Sequence, residues 1–225
     1  MPATTPEITQ LLKADTFGHI ERVEHEGRFF IRRDTRSAHW SLRLLARWAA
    51  AHEARGLARL AGVTGVPQLL RFDGRVLERS YLDGAPMQEA QPRDREYFRR
   101  AHALLRTLRM RGLAHNDLAK EPNWLVRGDG APAVVDFQMC WRGNPRGGFF
   151  RMLAREDLRH LLKHKRTYCP QALTPIERRL LGRRSWLART WKSTGKRIYK
   201  FIARRWFGYW DDDGGALRVR RPPPP

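Results

Sequence analysis

His115-Asn116-Asp117-Leu118-Ala119-Lys120-Glu121-Pro122-Asn123-Trp124-Leu125-Val126, a turn at Arg127-Gly128-Asp129-Gly130, and then Val134-Val135-Asp136-Phe137-Gln138 form the stretch that decides the fold. The Gly-Asp-Gly turn between two apolar runs is a hairpin signal, so residues 123–126 and 133–137 read as paired strands. Asp117 then falls on the loop before the hairpin, Asn123 at its entry and Asp136 at its far end. Carboxylate and amide oxygens of this kind suit a hard divalent cation. A carboxylate on the loop suits the proton of a hydroxyl group.

Upstream, residues 93–111 predict a helix with Tyr97, Ala101, Leu104, Leu105 and Leu108 on one face and Gly112 as its stop. Leu82-Asp83-Gly84-Ala85-Pro86 reads as a turn and a hinge between two lobes. Residues 66–81 give two short strands around Asp73-Gly74, and residues 16–35 a hairpin turning at Glu26-Gly27. Residues 38–61 predict a long helix, with Leu42, Leu45, Ala49, Leu57 and Leu60 on its apolar face. Glu53 shares that face, and a buried carboxylate needs a partner. Downstream, residues 153–165 are helical. Thr174-Pro175-Ile176-Glu177 opens a further helix, with Thr as N-cap, Pro next and Glu three after the cap.

The 225 residues carry a formal net charge of +21, which draws the chain to phosphate-rich partners such as nucleic acid or anionic lipid headgroups. No apolar run is long enough to span a bilayer, and the N-terminal residues lack the basic-then-apolar pattern of a secretory signal. Cys140 and Cys169 match no metal or redox spacing, which fits a reducing compartment. Residues 186–207 are basic and aromatic. Trp191, Ile198, Ile202 and Trp206 fall on one helical face among Arg and Lys, a pattern suited to an anionic membrane interface or to packing on the domain. The expected location is cytoplasmic, with peripheral contact on the inner face of the membrane.

Phosphoryl transfer needs an aligned nucleophile, a held metal and neutralised phosphate charge. Asp117, Asn123 and Asp136 supply residue types for the first two. Their arrangement resembles the catalytic and metal-binding loops of the protein-kinase-like superfamily, and most resembles its small bacterial branch. That branch holds RIO-type kinases, 3-deoxy-D-manno-octulosonic acid (lipopolysaccharide-core) kinases and aminoglycoside phosphotransferases. The resemblance runs from about Thr16 to Lys165. It implies ATP and Mg²⁺ as cofactors, Asp117 as the catalytic carboxylate, Lys120 at the γ-phosphate, and Asn123 and Asp136 as metal ligands. It makes His115 a brace for the loop, with Asp157 placed to brace it from the following helix. It also implies that Glu53 pairs with a strand cation, matched to Arg32 ahead of Arg33, and that Gly18 in Thr16-Phe17-Gly18-His19-Ile20 forms the tip of a nucleotide-covering loop.

Three departures from that pattern stand in the sequence. Arginine replaces the strand lysine, Asp117 and Asn123 are one residue further apart than in the kinase signature, and Gln138 follows Asp136-Phe137 where a glycine is usual. The expected architecture is α+β, a two-lobed protein-kinase-like fold with a short helical C-lobe: N-lobe 1–82, C-lobe 83–210, disordered tail 211–225. The expected activity is transfer of the γ-phosphoryl of ATP to a hydroxyl of a protein serine or threonine, or of an envelope glycolipid sugar. The alternative is an inactive pseudokinase serving as a basic RNA- or membrane-binding module.

Overall fold

A computed structural model of the chain describes residues 8–182. Strand β1 (Ile8–Asp15) turns at Thr16-Phe17 into β2 (Gly18–His25), which turns at Glu26-Gly27 into β3 (Arg28–Asp34). Glu26 and Gly27 both have positive φ, the geometry of a two-residue hairpin turn. Helix α1 (Arg43–Arg59) crosses to β4 (Leu69–Phe72) and β5 (Val76–Ser80), and the antiparallel sheet runs β1-β2-β3-β5-β4. Strand β6 (Ala85–Pro86) and helix α2 (Met87–Ala90) lead to α3 (Arg95–Met110) and the short β7 (Leu113–Ala114). The hairpin β8 (Trp124–Val126) and β9 (Pro132–Val134) follows, then β10 (Trp141–Arg142), which pairs with β7. Helices α4 (Gly148–Tyr168) and α5 (Pro175–Gly182) complete the described chain. A sheet lobe with one long helix therefore meets a helical part, and the fold is α+β and kinase-like.

Three expectations change. Residues 8–15 form a strand that the sequence pattern did not announce. The first helix starts at residue 43, not 38, because local side chains claim the backbone before it: Asp34 accepts from Arg36 N–H at 2.8 Å, and Ser37 Oγ donates to Asp34 O at 3.1 Å. Its buried stripe is Ala46, Ala50, Glu53, Ala54 and Leu57, while Leu45 is exposed. Small residues on that stripe let α1 lie close to the loop after Asp136. A Cβ on Gly56 would stand 2.7 Å from Cys140 Sγ.

The helical side closes on a core that includes Leu57, Leu108, Trp124, Phe137 and Leu161. The α3 face is as expected, with Tyr97, Ala101, Leu104, Leu105 and Leu108 buried. Helix α5 opens on a reciprocal cap: Thr174 N–H donates to Glu177 Oε2 at 2.7 Å, and Glu177 N–H to Thr174 Oγ1 at 3.2 Å. The basic stretch 186–207 and the tail 211–225 lie outside the described residues.

Gly18 opens β2 with φ +114°, and a Cβ there would sit 2.2 Å from the Asp34 carbonyl oxygen. Both the dihedral and the backbone contact exclude a side chain. Gly18→Ala is expected to cost more than about 1 kcal/mol, read from a urea midpoint at unchanged slope.

Candidate active site

The loop from His115 to Asn123 is held by α4 and by the end of the hairpin. Asp157 on α4, buried, accepts the backbone N–H groups of His115 at 2.7 Å and Asn116 at 2.8 Å. Burial pushes its pKa up to about 7, against the two N–H donors that pull it down. His115 is fully buried, and its Nε2 meets the Val135 carbonyl at 2.9 Å. A carbonyl only accepts, so Nε2 carries the proton. Burial lowers the His115 pKa and keeps the ring neutral. The ring also lies 4.6 Å from that of Phe137, tying the loop to the residue after Asp136. Further along α4, His164 Nε2 donates to Leu118 O at 2.9 Å.

Asp157 is thus the brace the sequence suggested. Asp157→Ala strands the buried His115 N–H and the partly buried Asn116 N–H and is expected to cost about 2–4 kcal/mol, since each unmet group costs about 1–3 kcal/mol. Asp157→Asn keeps an acceptor oxygen and should lose less. Because the folded-state pKa lies above that of the unfolded chain, the native state holds the extra proton between about pH 4 and 7. The contribution of Asp157 therefore weakens as pH rises through that window. The stability gap between wild type and Asp157→Asn, from urea unfolding at several pH values, should shrink in the same direction.

Between Asp117 and Asn123 the chain makes a single 3₁₀ turn at Glu121–Asn123, with Pro122 in its first positions. Glu121 is fixed by Tyr168 Oη, which donates at 2.8 Å. The turn brings Asn123 back to Asp117: its Nδ2 donates to Asp117 O at 2.9 Å and to Asp117 Oδ2 at 3.1 Å. Lys120 Nζ reaches the same Oδ2 at 2.7 Å. Asp117, Lys120 and Asn123 are therefore one cluster. The amide orientation that serves Asp117 leaves Asn123 Oδ1 open as a donor to a cation.

Asp136 adopts a left-handed conformation, φ +68° and ψ 72°, as the chain leaves the hairpin. This is uncommon for a non-glycine residue and turns the carboxylate away from the strand path. Gln138 Nε2 stands 3.4 Å from Asp136 Oδ2, and Gln138 Oε1 accepts from Arg33 Nη2 at 3.0 Å. A guanidinium only donates and an ionised carboxylate only accepts, so the amide has one sensible orientation. The other arm of Arg33 donates to Glu53 Oε2 at 3.0 Å. Arg79 Nε makes an ion-pair contact with Glu53 Oε1 at 3.3 Å. A continuous polar chain therefore runs Glu53–Arg33–Gln138–Asp136, from α1 through β3 to the hairpin exit.

The expected pairing of Glu53 with Arg32 is corrected here. Successive strand residues face opposite sides, and the face toward α1 belongs to Ile31 and Arg33. Arg32 stands opposite Glu78 on β5 and donates to it at 2.9 Å. Gly18 sits at the β1–β2 turn against Asp34, so the packing explains its lack of a side chain. Arg33, Arg79 and Gln138 are the contributors that sequence reasoning ranked low or missed. Strand parity could have pointed to Arg33, once Ile31 was taken as inward. Nothing local marked Gln138.

Among the described residues no three His, Cys, Asp or Glu side chains converge as a metal cage, and no helix is long and apolar enough to cross a membrane. Asp136 and Asn123 offer one carboxylate and one amide oxygen. That donor set fits Mg²⁺, which keeps waters and takes substrate phosphate oxygens alongside one or two protein ligands.

Sheet lobe, helical part, braced loop and left-handed Asp136 make up a kinase-like fold. Among solved structures the chain is similar to the Rio2 kinase from Chaetomium thermophilum, with a TM-score of 0.59 and 16% identity over 80% of this chain. The match spans 63% of that protein's chain. At this identity the likeness shows the fold. No family model matches the sequence, and no curated protein matches it.

Proposed function

We propose that the protein is an ATP-dependent phosphotransferase of the small RIO-like and lipopolysaccharide-kinase-like type, which moves the γ-phosphoryl group to an alcohol hydroxyl. The observation that carries this reading is the convergence of Asp117, Lys120 and Asn123 in one cluster, with the hairpin exit presenting Asp136. Asp117 takes the catalytic role, orienting the acceptor hydroxyl and receiving its proton. Lys120, already on Asp117 at 2.7 Å, is placed to follow charge onto the γ-phosphate. Asn123 and Asp136 would hold Mg²⁺, which when bound neutralises phosphate charge. Arg33 takes the place of the strand lysine. Its planar fork serves Glu53 and Gln138 at once, which one compact ammonium does less well. Arg32 and Gly18, first matched to nucleotide binding, have structural partners in Glu78 and the Asp34 backbone and are given no nucleotide contact. The acceptor is a protein serine or threonine, or a sugar hydroxyl of an envelope glycolipid.

The test is labelled-ATP consumption by the full chain, with Mg²⁺ and with chelator, beside a protein acceptor and beside a glycolipid acceptor. Mg²⁺-dependent label on either acceptor supports the proposal and chooses between them. Tight nucleotide binding with no transfer to any alcohol would instead favour the inactive, basic binding module.

A further inference from the structure

The outer face of α1 is unusual for a surface helix. Leu44 and Trp48 on it, and Trp40 in the turn that precedes it, stand four residues apart and are 79%, 54% and 77% exposed. Apolar side chains standing singly on a surface need no explanation, but a contiguous row does. The row continues across the fold. Trp48 stacks on His52 with ring centroids 5.1 Å apart, and the His52 ring nitrogen Nε2 binds the Cys140 carbonyl. Cys140 lies between Met139 and Trp141, both about half exposed. Trp141 meets exposed Phe149 edge to face at 5.1 Å. His52 thus ties the exposed apolar row at α1 to the exposed apolar strip that follows Asp136, through the backbone of buried Cys140.

The charges along this strip have one sign. Residues 35–52 carry Arg36, Arg43 and Arg47, residues 137–155 carry Arg142, Arg146, Arg151 and Arg155, and neither segment contains an Asp or Glu. Arg36 is paired with Asp34. The other six have no carboxylate partner among the described residues, and Arg146, Arg151 and Arg155 are exposed. Unpaired guanidinium groups around exposed Trp and Leu complement a surface that is anionic at its face and apolar just beneath. An anionic lipid bilayer has that profile. Tryptophan is favoured at the headgroup level, where its ring is half in and half out of water. A nucleic acid would reward stacking on the tryptophans and leave Leu44 and Met139 without a partner.

We infer that the outer face of α1 and the 139–149 segment together form a docking surface for anionic membrane. Trp40, Leu44, Trp48 and Trp141 enter the headgroup boundary and the arginines meet lipid phosphates. Docking alone does not depend on catalysis. One consequence does rest on the phosphotransferase reading: the segment leaves Asp136 directly, so a docked protein holds its site beside the bilayer. A lipid-embedded sugar hydroxyl is then the acceptor class that fits.

The experiment is flotation of the full-length protein with vesicles of equal parts phosphatidylglycerol and phosphatidylcholine, against pure phosphatidylcholine, over a salt series. Binding should require the anionic lipid and weaken with salt. Leu44→Asp should lower partitioning roughly tenfold or more, since it replaces a membrane-buried leucine with a charge. Arg146→Gln and Arg151→Gln should each lower it roughly fivefold. These side chains are exposed, so melting temperatures should not move, and unchanged melting with lost binding supports the inference. No binding by wild type overturns it. So does undiminished binding by Leu44→Asp, which would place the lipid contact elsewhere in the chain. If the same variants lose a single-stranded RNA probe while wild type ignores vesicles, the face is a nucleic-acid surface and the inference fails. Vesicle binding through this face without any phosphate transfer would keep the inference and sink the phosphotransferase reading. Transfer in solution with no vesicle binding would do the reverse.

Discussion

Asp136→Ala is expected to end ATP turnover and Asp117→Asn to slow it, and only the first should weaken Mg²⁺-dependent nucleotide binding. The two carboxylates differ in what surrounds them. Asp117 is enclosed by its own loop, with Lys120 at 2.7 Å and Asn123 at 3.1 Å on one oxygen. In the proposed reaction it would be the proton acceptor, with its position set before substrate arrives. Removing its charge should leave nucleotide affinity near wild type and lower the rate of transfer by about 10²–10⁴-fold, the usual worth of a positioned acid or base. Among the described residues the Asp136 carboxylate has a hydrogen-bond contact with Gln138 at 3.4 Å, and its backbone is left-handed. In the proposed site its loss would remove the carboxylate assigned to the metal. Turnover should fall at least as far, and calorimetric titration should show that nucleotide no longer binds more tightly with Mg²⁺ than without. The fold should survive, because the core contact at this turn is Phe137. Full single-turnover activity in Asp136→Ala would remove the metal-site assignment. Lost nucleotide affinity in Asp117→Asn would mean that its carboxylate holds the nucleotide in place of the acceptor.

The parts of the site that were legible in the sequence are those fixed by short-range geometry. Asp117, Asn123 and Asp136 sit within a loop and a hairpin whose turn residues announce themselves, so their places on those elements could be read, and the structure joins Asn123 to Asp117. Glu53 was legible for a different reason: a carboxylate on an apolar helix face implies a buried partner. What could not be read was which side of a strand faces that helix. Arg32 and Arg33 are neighbours of identical chemistry, and a shift of one residue exchanges their faces completely. Burial of Ile31 decides it, and burial is a tertiary fact. Strand β1 escaped notice because its sequence, with Gln10 and Lys13 among Ile8, Leu11 and Leu12, does not alternate cleanly. Its pairing with β2 is itself irregular between Leu11 and Lys13. Leu45, placed on the apolar face of α1 and 47% exposed, misled in the opposite direction. Large apolar residues suggested the core face of α1, whereas alanines line it and some of the bulkiest side chains point to solvent.

The polar chain from α1 to Asp136 gives the second large effect. Glu53 is 2% exposed and lies between Arg33 and Arg79, both mostly buried. Glu53→Ala leaves two guanidinium groups facing a cavity without their counter-charge, so a loss of about 3–5 kcal/mol is expected in urea unfolding. A double-mutant cycle separates the pairing from the general cost of each truncation. Arg33→Ala with Glu53→Ala should show a coupling of about 1–3 kcal/mol, whereas Arg32→Ala with Glu53→Ala should be additive, because Arg32 acts through Glu78 on the other face. Additivity in the Arg33 cycle would break the proposed route. Arg33→Lys carries the argument one step further. A lysine keeps the charge beside Glu53 but cannot extend a second rigid arm to Gln138. It should therefore recover most of the stability lost in Arg33→Ala and much less of the transfer rate. That split distinguishes a cation that only balances Glu53 from one that also sets Gln138, and through it the carboxylate of Asp136.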